Sequence, residues 1–139
     1  MIFKIVRTPK KSQTRRRLGA ATVEFAVCLP FLLAIVFGSI EAANAVFLQE
    51  ALTSAAYEAS NVASAVGGTS AVATARANGV LTLLGIKSAT VSISPAVDAN
   101  TPTGTMITVT CAAPLGSNTA TGWCLGNLKR TATFTTSHL

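Results

Sequence analysis

The chain has 139 residues, enough for one modest domain and too few for two independent cores. Half of the residues are hydrophobic and 12% are charged, which is greasy for a free soluble domain and points to a membrane-contacting segment beside an alanine- and threonine-rich remainder. The net charge of +6 sits mostly at one end: seven of the eleven basic residues (Lys4, Arg7, Lys10, Lys11, Arg15, Arg16, Arg17) precede Leu18, and beyond Gly19 four basic residues face five acidic ones. A polybasic tail abutting an apolar run reports membrane orientation rather than a binding face, so nucleic acid is not an expected partner.

Residues 1–19 read as a polar, cationic leader ending in Arg15-Arg16-Arg17-Leu18-Gly19. From Ala20 to Ile40 the one charge is Glu24. As a helix this run would be about 31 Å long, close to the hydrocarbon thickness of a bilayer. Residues 20–41 are therefore expected to span a membrane, with the leader cytoplasmic and residues 42–139 exported as a head. Pro30 removes one backbone hydrogen bond from this helix and is expected to kink it. Ala34, Gly38 and Ala42 form a small-residue stripe, read either as a site of close helix approach or as ordinary lipid-facing surface.

The helical pattern continues past the membrane edge. Leu48, Leu52, Ala55, Ala59, Val62 and Val66 form a sustained apolar seam, with Glu50, Ser54, Tyr57, Asn61 and Ser64 mostly elsewhere on the surface. Gly67-Gly68 ends it. A helix from Ala20 to Val66 would run roughly 70 Å, so half of it must pack on something outside the bilayer. A second helix is expected from Thr69 or Ser70 to Leu84, closed by Gly85 and weakened in its middle by Asn78-Gly79. Three threonine- and valine-rich segments, Ile86–Ser94, Thr105–Ala112 and Leu128–Thr136, alternate like strands, with a turn-rich connection over Pro95–Gly104. The expected fold class is α+β: a long N-terminal helix, a second short helix, and a small antiparallel sheet spanning about residues 86–136.

Gly19-Ala20-Ala21-Thr22-Val23-Glu24-Phe25 is the most informative string. A carboxylate at the start of a membrane helix is costly, because an unpaired ion in hydrocarbon loses its hydration. If the chain were cut after Gly19, the new amine of Ala20 would supply a positive charge near the same depth, for the same chain or a neighbour. The other reading leaves Glu24 at the membrane interface near a helix N-terminus.

In this string the sequence resembles the type IV prepilins, in which a peptidase cuts after glycine on the cytoplasmic side and the fifth residue of the product is glutamate. Counted from Ala20, Glu24 is that residue and Phe25 the sixth. The run Leu18–Ala26, then Leu29-Pro30-Phe31-Leu32-Leu33, Phe37-Gly38, Ile40-Glu41 and Gln49–Glu58, is similar to the TadE-like minor pilins of the tight-adherence (Tad) system. The close resemblance covers residues 15–66. Beyond it, Ile107-Thr108-Val109, Pro114, Trp123, Leu125-Gly126 and Leu128 follow the family loosely, and the ending Phe134–Leu139 departs from the basic-acidic cluster common there. The resemblance implies a pseudopilin of a Flp-type pilus or related secretion machine, placed in a bacterial inner membrane or a surface pilus. It implies Gly19 and Ala20 as the cleavage pair and Glu24 and Phe25 as assembly residues. Its implied partners are a prepilin peptidase, other pilin subunits, an inner-membrane assembly platform and membrane lipid.

Cys111 and Cys124 fall in the expected head, where an oxidising compartment favours a bridge across 12 intervening residues. Such a bridge is worth about 3 kcal/mol. Free buried cysteines are the alternative, and Cys28 in the apolar run reads as a small apolar residue. Catalysis finds little material: His138, the lone histidine, is next to the C-terminus, where disorder is expected. Glu41, Glu50 and Glu58 are spread along one helix, and Asp98 lies in a turn-rich loop where aspartate serves the backbone. Asp98-Ala99-Asn100-Thr101 is far from a full calcium ligand set. The sequence holds no metal, nucleotide or cofactor motif and raises no expectation of an enzyme. Two other readings stay open: a secreted module cut after Ala43-Asn44-Ala45, and an uncut single-span envelope anchor.

Overall fold

The computed structural model describes residues 13–119 and 128–139, with side chains from Gly19 onward. The fold is α+β. Helix α1 spans Gln13–Ser64 and α2 Ser70–Leu83; strands β1 (Thr90–Ser94), β2 (Met106–Pro114) and β3 (Lys129–Ser137) form an antiparallel sheet in the order β1-β2-β3. The chain divides into two compact units, Met1–Gly38 and Ser39–Leu139.

Helix α1 begins seven residues ahead of the expected Ala20 and runs through Pro30 without interruption. Proline forfeits one hydrogen bond but its φ is helical, so a long helix can continue past it. Within the second unit the helix buries Ala45, Leu48, Leu52, Ala55, Ala56, Ala59 and Ala63. The expected seam holds as far as Ala59 and then shifts. Ala63 takes the buried position, Val62 is half-buried, and Val66 is 85% exposed. The physical reason is the helix end: α1 stops at Ser64, so Val66 lies in the following turn and no longer shares the helical phase.

Gly67, at φ +76°, and Gly68 turn the chain, and the Gly68 amide donates to the Ala65 carbonyl at 2.8 Å. Thr69 then caps α2, its hydroxyl accepting from the Val72 amide. Helix α2 continues through Asn78-Gly79 and ends with Ile86 N–H on Leu81 O and Gly85 N–H on Thr82 O, Gly85 at φ +71°. These bonds occupy the residues expected to open β1. Lys87 is further held by Asn118, whose amide bridges the Lys87 N–H and C=O, and Ser88 takes a positive φ. The strand therefore starts at Thr90, four residues late.

The core joins the alanines of α1 and α2 (Ala73, Ala77, with Leu81) to Ile107, Val109, Cys111 and Ala113 on one face of β2. Alanine at these helix positions lets backbones approach closely, while the branched β2 residues fill the space between. The same face of β3 carries Ala132 and Phe134, paired with Cys111 and Val109. The opposite face carries a row of hydroxyls: Ser92, Thr110 and Thr133 in one register, Ser94, Thr108 and Thr135 in the next.

The segment expected to be disordered is packed. His138 is 4% exposed and its Nδ1 donates to Ala63 O at 3.0 Å, while Leu139 N–H donates to Ser64 O at 2.9 Å. The last-turn carbonyls of a helix lack intrahelical donors, and here residues 75 positions away supply them.

Candidate functional site

Two features of the chain have no structural explanation in the core: the N-terminal apolar surface and one edge of the sheet. In the first unit every described side chain, from Gly19 to Gly38, is exposed. That includes Val23 (64%), Phe25 (59%), Phe31 (71%) and Ile35 (69%). Soluble surfaces do not expose contiguous apolar area on this scale, so the run belongs against lipid or other helices. Among the described residues one helix, Gly19–Ser64, is long and apolar enough to cross a membrane; its mean hydropathy reaches 2.3 over its most apolar 18 residues, none of them buried.

Gly19, Ala20, Glu24 and Phe25 all lie on this exposed helix. A Cβ added at Gly19 would meet nothing within 4 Å, so the glycine serves no packing need there. Helical geometry sets Ala20 and Glu24 one turn apart on one face, with Cβ atoms roughly 5–6 Å apart. Glu41, 7% exposed, is the first buried residue after this run.

The other carboxylates do not converge. Glu58 Oε2 pairs with Arg76 at 2.9 Å on the surface, a contact worth at most about 1 kcal/mol. Asp98 Oδ1 accepts from the Asn100 amide at 2.9 Å and from the Thr101 hydroxyl at 3.3 Å, a turn stabilised by its own side chain. Among the described residues no group of three His, Cys, Asp or Glu side chains could hold a metal ion. The expected Cys111–Cys124 bridge is not supported: Cys111 is a free, fully buried thiol, and Cys124 lies outside the described residues. Burial pushes the Cys111 thiol up to about 11. Cys111 belongs to the inward row of β2, where a small apolar side chain is required.

The feature that sequence reasoning missed lies beside β3. Gln49, Glu50, Thr53, Ser54, Tyr57 and Phe134 line an open groove of about 430 Å³. Tyr57 and Phe134 meet edge to face, centroids 5.3 Å apart and rings inclined at 73°. Leu128 O accepts from β2-side Leu115 N–H and His138 N–H donates to Thr105 O, so even-numbered residues of this strand turn their backbone toward β2. Odd-numbered ones turn away, where Gln49 Nε2 reaches Thr131 O at 3.3 Å. Among the described residues nothing pairs with Thr133 and Thr135 on that side. The sequence signal was present in the uncharged alternation Thr131-Ala132-Thr133-Phe134-Thr135-Thr136, which marks a strand but not whether it is an edge.

No curated protein and no solved structure matches the chain. Residues 19–61 match the family model described as TadE-like protein. The matched segment is under half of the chain; it carries the exposed apolar helix and is similar to TadE-like proteins over that stretch.

Proposed function

We propose that the chain is a minor pilin, or pseudopilin, of a Tad-type pilus or related secretion machine. A prepilin peptidase cuts it between Gly19 and Ala20 on the cytoplasmic side. The product spans the inner membrane with residues 42–139 outside, and it assembles with other pilin subunits and an inner-membrane platform through the helix that begins at Ala20. The observation that carries this reading is Glu24: an exposed carboxylate on a helix whose other exposed side chains from Val23 to Phe37 are uncharged. An isolated ion in hydrocarbon is expensive, and the amine created at Ala20 is one helical turn away. The role in the machine is structural, with no chemistry asked of any side chain.

Intact mass and N-terminal sequencing of membrane-purified protein, from cells with an active prepilin peptidase, test it directly. The expected product begins at Ala20. A full-length chain would instead indicate an uncut anchor, and a product beginning at Val46 a secreted module released by ordinary signal peptidase; either sinks the pilin reading. Gly19→Leu is expected to abolish the cut, since nothing in the fold itself restricts that position.

A further inference from the structure

We propose that the free edge of β3 takes the β1 edge of a second copy of this chain as a fourth, parallel strand. Exposed strand edges are templates for another strand, and proteins usually blunt them with charge, proline or a bulge. From Thr131 to Ser137 β3 has none of these guards. Its outward backbone groups at Thr133 and Thr135 ask for an extended chain. The groove beside them asks that chain for apolar side chains on the helix side and polar ones on the hydroxyl side.

Strand β1 meets both demands. Its sequence, Thr90-Val91-Ser92-Ile93-Ser94, alternates polar and apolar, and at the other end of the sheet it too has no outer strand among the described residues. Since Ala112, Thr110 and Thr108 turn their backbone toward β1, it is Thr90, Ser92 and Ser94 that bond to β2, and Val91 and Ile93 that point outward. Set in parallel with Ser92 of the second copy beside Thr133, the ladder closes. Thr133 N–H donates to Val91 O of the second copy, and Thr133 O accepts from its Ile93 N–H. Val91 and Ile93, half-buried against the core of their own copy, then lie beside Ala132 and Phe134 and extend the apolar face of the sheet, and the hydroxyl row Ser92-Thr110-Thr133 continues into the next molecule.

Direction agrees with this occupant. Gln49 lies beside Thr131, Tyr57 beside Phe134 and Ala63 beside His138, so this stretch of α1 runs parallel to β3. Strand β1 is parallel to β3 in turn, because each is antiparallel to β2. Copies joined β3 to β1 therefore keep their α1 helices parallel, as insertion in one bilayer requires, whereas an antiparallel β3–β3 pair would point them in opposite directions. The joint is heterologous and repeats from copy to copy, the symmetry of an open filament or a closed ring. The direction of pairing rests on the single-bilayer reading above.

The test uses the full chain in membranes, with Cys28→Ala and Cys124→Ala as background. Two differently tagged single variants, Ser92→Cys and Thr133→Cys, are co-expressed and oxidised. A covalent heterodimer at least tenfold above either variant alone is expected. Its absence, or a homodimer of Thr133→Cys of equal yield, would overturn the proposal. Mass spectrometry of the same sample separates the two readings. A product starting at Ala20 without cross-link removes the edge pairing alone, and a cross-linked chain that keeps its leader removes the pilin assignment alone.

Discussion

Cys111 faces inward from β2, fully buried between Val109 and Ala113 of the same row. Burial disfavours the thiolate, and the thiol is raised from 9.0 to about 11. The consequence for stability has a definite sign. Above pH 9 the unfolded chain loses this proton while the folded chain keeps it, so stability falls as pH rises from 9 to 11 and is unaffected by this group below that window. A rise of this size corresponds to about 2–3 kcal/mol. Urea unfolding in detergent at pH 8 and pH 10.5 should show a larger loss for the native chain than for Cys111→Ala, because the variant retains every other titrating group. Maleimide labelling without reductant checks the same residue from the other side. Cys111 is expected to resist labelling when folded and to label fully in denaturant. Resistance in both states would mean that a bridge has formed after all.

At the scale of elements, the helix ends decide how the head closes; two glycines there and one inside α2 respond to alanine with different signs. A Cβ on Gly68 would sit against the backbone carbonyl oxygens of Val62, Ala65 and Ala63, the last at 3.0 Å, and backbone cannot swing aside. Gly68→Ala is expected to destabilise the head by about 2 kcal/mol. Gly67 has open space but a positive φ, so Gly67→Ala should cost about 1 kcal/mol. Gly79 sits in the interior of α2 with open space, and Gly79→Ala should stabilise by about 0.5–1 kcal/mol. Thermal or denaturant midpoints of the three variants would rank them, and any other order would refute the geometry. The sequence displayed Gly67-Gly68 as a helix stop because glycine there is a local signal. The seam through Leu48, Leu52, Ala55 and Ala59 was legible for the same reason, since periodicity is local. What local pattern could not show was pairing over distance. His138 looked like a frayed end, and nothing near it in sequence announces Ala63. The late start of β1 depends on Asn118 gripping Lys87 across 31 residues. The groove at β3 exists only because the strand order leaves that strand at an edge.

For the molecule as a whole, the N-terminal string was readable because a charge in an apolar run is a conspicuous exception, and the family match over residues 19–61 falls on it. The physical claim beneath the proposed function is that Glu24 is tolerable in the membrane only once Ala20 carries an amine. That claim makes the effect of one substitution reverse with processing state. In a processed chain, Glu24→Gln removes the anionic partner and leaves the amine unpaired, so incorporation into assembled material should fall by at least tenfold, equivalent to about 1.4 kcal/mol. In a Gly19→Leu chain, which is expected to keep its leader, there would be no amine at Ala20. There the same substitution removes an unpaired carboxylate from hydrocarbon, and the retained fraction in the membrane should rise. Quantifying membrane-bound and sheared fractions for the native chain, both single variants and the double variant gives the interaction between the two changes. If Glu24→Gln has the same effect in both backgrounds, the carboxylate answers to something other than the new amine, and the reason for placing a glutamate in this helix lies elsewhere.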